Sequence, residues 1–236
     1  GFIDSTSDID SLPTFCMALG DLDNDGDLDY VMGSNYIHLT KVYKNDGPTN
    51  PGTFVSTGQS LGYGDCYAVA LGDLDGNGSL DLVLGNYTGT SPNGNRVLFN
   101  DGSGGFSDST PTTSLGTHQV SAIALGDVEG DGDLDIVHTI SNSGSKLYLN
   151  DGAGVFVDSM ATIGPGVGAD AVIFGDVDKN GTIDLIFGGN NPGHLNAVWF
   201  NDGSGNFTWS GSTFGGNNTY SFTLGDVDAD GDLDLV

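Results

Sequence analysis

The chain has 236 residues, of which 32 are acidic, 5 are lysine or arginine and 40 are glycine, and its formal charge is −27 at neutral pH. A polyanion of this density repels nucleic-acid phosphates and anionic membrane surfaces, so we expect no nucleic-acid partner and no membrane insertion. Disorder is not expected either, because 37% of the residues are apolar and they recur in short, regular runs.

The predicted elements follow one another in the same order with a period of roughly 50 residues. Each period begins with an apolar run, called strand A, at 15–19, 67–71, 120–125, 171–174 and 220–224. An acidic loop comes next and leads into strand B at 30–32, 82–84, 136–137 and 185–187. Strand C covers 42–43, 97–99, 147–149 and 198–200, and strand D begins at Phe54, Phe106, Phe156 or Phe207.

Short runs rich in Val, Ile, Leu, Phe and Tyr, bounded by Gly, Asn and Asp, are typical of strands. Asn-Asp-Gly triplets at 45–47, 100–102, 150–152 and 201–203 favour hairpin turns between strands C and D, because these residues tolerate positive φ. Four strands per period predict an all-β fold, a β-propeller of four-stranded blades. Alternating small and large residues, such as Ala70 and Leu71, predict that strand A is buried on both faces.

We expect a single propeller domain over residues 1–236. Its repeats lie at about 14–60, 66–113, 119–162 and 169–213, with an incomplete repeat at 219–236. Residues 1–6 resemble strand D and would join the incomplete blade, which then lacks strand C. Two explanations stay open: the sequence is an excerpt of a longer propeller, or a neighbouring chain completes the blade and the chains assemble.

A nine-residue acidic loop follows each strand A, with oxygen-bearing side chains at positions 1, 3, 5 and 9 around a glycine at position 6. Ca²⁺ prefers six to eight oxygen ligands in a flexible cage, and the glycine permits the sharp turn that closes it. Position 7 varies among Asp, Ser and Thr, which indicates that its backbone carbonyl is the ligand there. We therefore predict about one Ca²⁺ per repeat, up to five. The candidate metal ligands are Asp21, Asp23, Asp25, Asp27, Asp29, Asp73, Asp75, Asn77, Ser79, Asp81, Asp127, Glu129, Asp131, Asp133, Asp135, Asp176, Asp178, Asn180, Thr182, Asp184, Asp226, Asp228, Asp230, Asp232 and Asp234.

Two other metal sites fit the loops less well. An EF-hand needs a glutamate at position 12 and flanking helices, whereas Met32 and Leu84 stand there between predicted strands. Zinc prefers Cys and His ligands, which the loops lack. Asn77 and Asn180 each remove one negative charge, so their loops should bind Ca²⁺ more weakly, and the longer Glu129 should distort the third loop.

Three features together resemble a known family: the repeated loop, the glycines Gly85 and Gly188 after strand B, and Asn-Asp-Gly-x-Gly-x-Phe at 100–106, 150–156 and 201–207. The chain resembles the FG-GAP/VCBS repeat family, whose best-known members are the integrin α-subunit propellers. The resemblance implies seven blades in typical members, Ca²⁺ bound between strands A and B, and an extracellular or cell-surface location. It also implies roles in adhesion, in carbohydrate binding or as appendages of surface proteins.

The connections opposite the calcium loops vary in length and carry the aromatic residues Tyr36, Tyr63, Tyr87, His38, His118, His138 and His194. Variable loops on a rigid scaffold are where ligands usually bind, so we expect a protein or carbohydrate ligand there. Solvated polar loops without a ligand are the alternative. No nucleophile–base pair stands out, and we expect no enzyme. The predicted function is an extracellular calcium-stabilised binding or adhesion module; the alternative is a self-assembling subunit of a fibre or surface layer.

Two smaller sets of residues also predict contacts. Lys41, Arg96 and Lys146 begin strand C in three repeats, and we expect them to pair across the sheet with Asp108 or Asp158. Cys16 and Cys66 lie on neighbouring A strands at the same parity, so we expect their side chains to point the same way and remain free thiols.

Overall fold

The computed structural model describes residues 13–34, 39–47, 52–63, 65–87, 94–108, 115–141, 143–164, 168–189, 196–215 and 218–236. Within these residues the regular structure consists of β-strands, with no α-helix, and none of it forms a helix able to cross a membrane. The strands are β1 (Thr14–Gly20), β2 (Asp29–Ser34), β3 (Leu39–Asn45), β4 (Phe54–Tyr63), β5 (Cys66–Gly72), β6 (Asp81–Asn86), β7 (Arg96–Asn100), β8 (Phe106–Asp108), β9 (Val120–Gly126), β10 (Asp135–Ile140), β11 (Ser145–Asn150), β12 (Phe156–Ile163), β13 (Ala169–Gly175), β14 (Asp184–Gly189), β15 (Asn196–Asn201), β16 (Phe207–Phe214), β17 (Leu224–Gly225) and β18 (Asp234–Leu235).

Consecutive strands pair antiparallel and form four sheets of four strands and one pair of strands. The chain divides into two compact units, residues 1–117 and 118–236. The first unit holds sheets β1–β4 and β5–β8; the second holds sheets β9–β12 and β13–β16 and the pair β17–β18. The predicted all-β fold and its blade-like sheets, with strands in the order A–B–C–D, are therefore confirmed. The single domain and its ring closure stay predictions.

Strand B is the most buried strand of each four-stranded sheet. All six positions are buried in β2, β6, β10 and β14. Strand A instead mixes buried with half-exposed positions, and in β1 Phe15, Met17 and Leu19 are each about half exposed. The prediction that strand A is buried on both faces is therefore wrong. Strand B has a hydrogen-bonded neighbour on each edge, and side chains of the next sheet also pack against it, as Leu82 and Leu84 do with Val31.

The hydrophobic cores lie between neighbouring sheets within each unit. In the first unit Val31 and Val42 of one sheet cluster with Leu82, Leu84 and Leu98 of the next. In the second unit Val137 and Leu147 cluster in the same way with Leu185 and Phe187. Because each core is shared by two sheets, neither sheet buries its apolar residues alone.

A glycine before the first, third and fourth acidic loops allows neighbouring sheets to approach closely. A Cβ added at Gly20 would lie 2.6 Å from Leu80 of the next sheet, and one added at Gly126 would lie 2.5 Å from Ile183. Leu80 and Ile183 stand at position 8 of the following loops and pack against the two cores. The eighth residue of those loops therefore anchors the loop to the preceding sheet.

Strand A of the fifth repeat is shorter than predicted. The sequence predicts a strand over 220–224, whereas the pairing covers Leu224 with Leu235 and Gly225 with Asp234. Thr223 and Val236 add two backbone hydrogen bonds. The predicted strand D at residues 1–6 lies outside the described residues.

The predicted cross-strand ion pairs are confirmed for two sheets. The Arg96 Nε donates to Asp108 Oδ1 at 2.7 Å, and a second nitrogen of the same guanidinium contacts that oxygen. Lys146 Nζ lies 2.6 Å from Asp158 Oδ2. These pairs link strands C and D, so the cations contribute to the pairing of strands within the sheet.

The two cysteines contact each other, contrary to the expectation from their parity. Their Sγ atoms are 3.7 Å apart, and both thiols are free. A β-bulge adjoins each cysteine, between Thr14 and Cys16 in β1 and between Cys66 and Ala68 in β5. A bulge interrupts the strict alternation of side chains, so counting residues along the strand gave the wrong direction.

Candidate metal centres

The aspartate at position 1 organises each acidic loop. In the second loop Asp73 Oδ1 accepts a hydrogen bond from the Asn77 amide at 3.1 Å, and its Oδ2 accepts one from the Gly78 amide at 2.9 Å. The same two bonds recur in the other four loops. The glycine at position 6 has positive φ in every loop, between 85° at Gly78 and 97° at Gly132. The predicted role of this glycine in the sharp turn is therefore confirmed.

Position 5 shapes the second half of the loop. Its side-chain oxygen accepts a hydrogen bond from the amide of position 7, as at Asp25 with Asp27 (2.9 Å) and Asn77 with Ser79 (2.7 Å). This is a local turn that the Asp or Asn side chain stabilises with its own backbone. It leaves the second oxygen of an aspartate there free of the turn, whereas an asparagine offers a single oxygen, which the turn and an ion would share.

The aspartate at position 9 is buried in the first four loops, with 0–1% of its surface exposed. In the fourth loop Asp184 Oδ2 accepts from the Val177 amide at 3.0 Å, and Oδ1 accepts from the Asn201 amide at 3.0 Å. Asp29, Asp81 and Asp135 make the equivalent pair of bonds. Burial raises the pKa of Asp81 and Asp135 to about 6, against the opposing effect of these hydrogen bonds.

Four loops bring three carboxylates together, with one oxygen of each within 4.8 Å of the others. The groups are Asp21, Asp23 and Asp25; Asp73, Asp75 and Asp81; Asp176, Asp178 and Asp184; and Asp226, Asp228 and Asp230. Calcium–oxygen distances of about 2.3–2.6 Å place the ligands of one ion up to about 5 Å apart. The donor atoms and their spacing therefore fit Ca²⁺.

The third loop departs from the other four. Within the described residues it does not bring three carboxylate oxygens within that distance. Its Asp127 Oδ1 accepts an additional hydrogen bond from the Gly130 amide at 2.7 Å, and Glu129 stands where the others have aspartate. The predicted distortion agrees with this geometry.

Position 7 stands outside all four carboxylate groups. Asp27, Asp133 and Asp232 are acidic there, and Ser79 and Thr182 carry hydroxyls. The Thr182 hydroxyl also donates to the Asn201 carbonyl at 3.1 Å. The proposal that the backbone carbonyl of position 7 is the ligand stays a prediction.

The first loop combines a cation with an unsatisfied oxygen. Lys44 Nζ lies 2.9 Å from Asp23 Oδ2 and also contacts the Ser103 carbonyl. Within the described residues the other carboxylate oxygen, Asp23 Oδ1, is buried without a hydrogen-bond partner. A buried, unpaired carboxylate oxygen is costly unless a cation contacts it, so this atom also fits a metal ligand.

Position 4 of the loop was not recognised in the sequence. Its residues Asn24, Gly76, Gly130, Lys179 and Ala229 all have positive φ, from 60° to 73°. Lysine and alanine disfavour this conformation, which makes the residue type a poor signal. The signal that could have predicted the positive φ is the residue's place in the loop, two residues before the glycine at position 6.

The turn asparagines connect neighbouring loops. Asn100 is almost fully buried, and its Nδ2 donates to the Leu80 carbonyl of its own loop and, at 2.8 Å, to the Leu22 carbonyl of the preceding loop. Asn201 makes the same two contacts, to Ile183 and, at 2.9 Å, to Val128. The Asn-Asp-Gly motif is therefore a link between sheets as well as a hairpin turn.

The sheet ends opposite the loops carry a column of stacked aromatic rings in the first unit. Phe15 stacks on Tyr67 with ring centroids 4.5 Å apart, and Tyr67 stacks on Tyr87 at 4.4 Å. In the second unit exposed His118 contacts buried His138 edge to face. Tyr36, His38, His194 and the side chain of Tyr63 lie outside the described residues.

A cavity of about 460 Å³ lies beside the third and fourth loops. Leu125, Phe174 and Ile183 give it an apolar wall, and Asp127 and Thr182 contribute polar groups. Its volume falls within the range of small-molecule sites. The sequence did not predict a concave surface on this side of the sheets.

A comparison with protein families shows which family the chain belongs to. The FG-GAP-like repeat matches residues 21–84, 87–138 and 176–236, more than two thirds of the sequence. The chain belongs to the FG-GAP-like repeat family. The matched segments contain all five acidic loops in full, so the family assignment agrees with the resemblance carried by the loops.

Two solved structures are similar to this FG-GAP-like chain in fold. One, from Agrocybe aegerita, is described as a lectin that recognises non-reducing terminal N-acetylglucosamine (24% identity, TM-score 0.53). The other is the Vibrio cholerae biofilm matrix protein Bap1 (17% identity, TM-score 0.54). The two matches cover 87% and 95% of this chain but only 52% and 35% of the two solved structures, respectively. No curated protein sequence matches it.

Proposed function

We propose that the chain is a calcium-stabilised β-propeller module that binds glycans or proteins outside the cell. The observation that supports this proposal most strongly is the acidic loop. It recurs five times, and four copies bring three carboxylates within reach of one ion. Repulsion among such carboxylates is costly unless a cation lies between them. Membership of the FG-GAP-like repeat family supports calcium as that cation.

The proposed role of calcium is structural. In each complete site, positions 1, 3, 5 and 9 would hold the ion between strands A and B. The bound ion supplies a point of positive charge that offsets the carboxylates, and each divalent ion cancels two of the 27 formal negative charges. The hydrogen bonds within the loops already place the oxygens, so little rearrangement is needed when the ion binds.

The aromatic column formed by Phe15, Tyr67 and Tyr87 supports a ligand site on the face opposite the loops. Phe15 is 47% exposed, and neither tyrosine is fully buried. Tyrosine combines an apolar ring with a polar hydroxyl and is common at binding surfaces, and Phe15 adds apolar area to the column. The lectin description of one structural neighbour supports glycans as the first class to test.

A glycan array probed with the calcium-loaded chain tests this proposal directly. We expect saturable binding that Phe15→Ala and Tyr87→Ala reduce at least tenfold. Trp209→Ala is the matched control because Trp209 is an equally exposed aromatic residue, 50%, within β16. Binding that survives both column variants but is lost in Phe174→Ala would move the ligand to the cavity beside the loops. No binding to any glycan or cell-surface protein would contradict the proposal.

A self-assembling matrix subunit is the second candidate, supported by the likeness to a biofilm matrix protein. Light scattering with and without a calcium chelator separates the two functions. A monomer with calcium present favours the binding module, whereas large calcium-dependent assemblies favour the matrix subunit. Under either function we expect no catalysis.

A further inference from the structure

Cys16 and Cys66 form a close thiol pair between the first two sheets. Cys16 lies on β1 and Cys66 on β5, and their Sγ atoms are 3.7 Å apart. The Cys16 thiol also lies 3.3 Å from the Cys66 carbonyl, so two contacts hold its position. The two residues are 50 positions apart in the sequence, yet both belong to the first compact unit.

Gly33 on β2 makes room for this pair. It lies opposite Cys16 in the β1–β2 register. A Cβ added at Gly33 would lie 2.3 Å from the Cys16 sulfur and 2.9 Å from the Cys66 sulfur, closer than real contacts permit. Both sulfurs therefore occupy the space that a side chain at this position would fill, and the glycine allows them to approach each other.

A disulfide requires only a small movement from this arrangement. The S–S bond is about 2.05 Å long, so each sulfur must move less than about 1 Å. Both cysteines adjoin β-bulges, where the strands depart from regular pairing. Cys16 is partly exposed whereas Cys66 is buried, so a soluble oxidant meets Cys16 first.

We propose that Cys16 and Cys66 form a disulfide that joins strand A of the first sheet to strand A of the second under oxidising conditions. The oxidant is a small-molecule disulfide such as oxidised glutathione. The Cys16 sulfur attacks it, forms a mixed disulfide and releases one glutathione thiol. The Cys66 thiolate then attacks the Cys16 sulfur and expels the second glutathione. The two cysteines lose two protons and two electrons in total, and the glutathione disulfide takes up both.

The hydrogen bond between the two thiols affects their pKa values in opposite directions while both are reduced. The hydrogen bond from Cys16 lowers the pKa of the Cys66 thiol, against the effect of burial. The same interaction, together with burial, raises the pKa of Cys16. Exposure, and not the pKa, therefore decides that Cys16 meets the oxidant first, and Cys66 is the thiol of the pair that remains to attack the mixed disulfide.

Thiol counting on the full, calcium-loaded chain tests the proposal. The protein is equilibrated with mixtures of reduced and oxidised glutathione, its free thiols are alkylated, and the linked peptide is sought by mass spectrometry. We expect complete loss of both thiols in the oxidised mixture and one intramolecular peptide joining Cys16 to Cys66. We also expect the unfolding midpoint to rise by roughly 5–15 °C on oxidation, because the bond restricts the unfolded chain.

Gly33→Ala provides a perturbation of the thiol pair, and Gly188→Ala is its matched control. Gly188 occupies the equivalent position of β14, where an added Cβ would meet Phe222 and Ala171 instead of sulfur. We expect Gly33→Ala to slow disulfide formation at least fivefold and Gly188→Ala to leave it unchanged. Two free thiols in the oxidised mixture, a disulfide between molecules, or an unchanged unfolding midpoint would each overturn the proposal. The wild-type thiol count alone decides the matter if a variant fails to fold.

Discussion

A buried aspartate at position 9 of each of the first four loops contributes to folding as well as to the candidate metal site. Its two oxygens accept backbone hydrogen bonds from position 2 of the loop and from the turn asparagine of strand C. A carboxylate oxygen has two lone pairs, so each can accept such a bond and still contact a cation. Positions 1 and 5 of every loop, and position 3 of the second, fourth and fifth loops, bond within the loop and are less buried than position 9, so the two kinds of position respond differently to substitution.

Asp184→Asn and Asp178→Asn separate these two roles in the fourth loop. In Asp184→Asn an amide NH₂ replaces one acceptor and faces a backbone donor, which should cost about 2–4 kcal/mol of unfolding free energy with or without calcium. Asp178 is exposed, and Asp178→Asn should reduce only the part of the stability that depends on calcium. Denaturant unfolding at saturating and at low free calcium measures both effects. Equal losses in the two variants under both conditions would contradict the distinction.

The buried His138 makes the second unit sensitive to acid. Burial lowers the pKa of His138 to about 3, with Lys146 and His118 adding to the effect and Asp158 opposing it. Tyr148 packs against the same ring. Within the described residues neither ring nitrogen has a hydrogen-bond partner, so the ring is held neutral in an apolar site.

His138→Leu should therefore protect the protein at low pH. The unfolded chain binds a proton at a pKa near 6.5 whereas the folded chain does not, so stability is lost as the pH falls from 6.5 towards 3. At pH 4.5 the difference amounts to about 2–3 kcal/mol. Leucine stands at the equivalent position 84 of the second sheet. At pH 8 the difference in unfolding free energy between variant and wild type should contain only the effect of the changed packing. Identical pH profiles of the two proteins would contradict the prediction.

At the scale of the elements, the sheets depend on contacts with their neighbours. The cores are shared between sheets, the glycine before the first, third and fourth loops receives a side chain of the next sheet, and Asn100 and Asn201 reach the preceding loop. A two-sheet unit therefore gains stability that a single four-stranded sheet of this sequence lacks. The hairpin turns and the metal loops meet at the same end of each sheet, which couples their geometry.

Asn100→Ala should destabilise the first unit more than Asn45→Ala does. Asn100 is 2% exposed and its Nδ2 reaches the loops of two sheets, so alanine leaves carbonyls of both without that donor, at a cost of about 2–4 kcal/mol. Asn45 is the same turn residue in the first sheet, and its side chain makes a 3.4 Å contact with the Leu28 carbonyl of its own loop. We expect about 1 kcal/mol or less for Asn45→Ala. Thermal unfolding measures both changes, and a smaller loss for Asn100→Ala would contradict the link between loops.

At the scale of the whole molecule, the acidic loops concentrate most of a charge of −27 into a few short segments. Net charge of this size opposes the compact state through self-repulsion. Cations bound only by the folded chain shift the folding equilibrium by mass action, in addition to relieving this repulsion. The number of ions bound on folding should therefore be visible in the calcium dependence of stability.

The free energy of unfolding should rise by about 1.4 kcal/mol per occupied site for each tenfold increase in free calcium. Four or five occupied sites would give a steep dependence, and Asp178→Asn should reduce the slope by about one site. Sodium chloride at matched ionic strength is the control, because screening alone relieves repulsion without a specific site. A calcium dependence no steeper than that of sodium would show that the loops do not bind the ion on folding.

The sequence by itself determined the repeat, the strands, the turns and the loops, because each depends on local chemistry. The period of apolar runs, the Asn-Asp-Gly triplets and the glycine at position 6 impose strand and turn conformations within a few residues of themselves. The candidate ligands follow from the same local pattern. The Arg96 and Lys146 ion pairs could also be predicted from the sequence, since they connect adjacent strands of one sheet.

Only the tertiary structure decided the features that depend on how sheets approach one another. The contact between Cys16 and Cys66 depends on two bulges, and the link from Asn100 to Leu22 joins segments 78 residues apart. The buried state of His138 and the greater burial of strand B likewise depend on which faces the neighbouring strands and sheets cover. Sequence spacing specifies a side chain's position along its own strand, whereas its partners in the next sheet are specified by packing and by interruptions in the register.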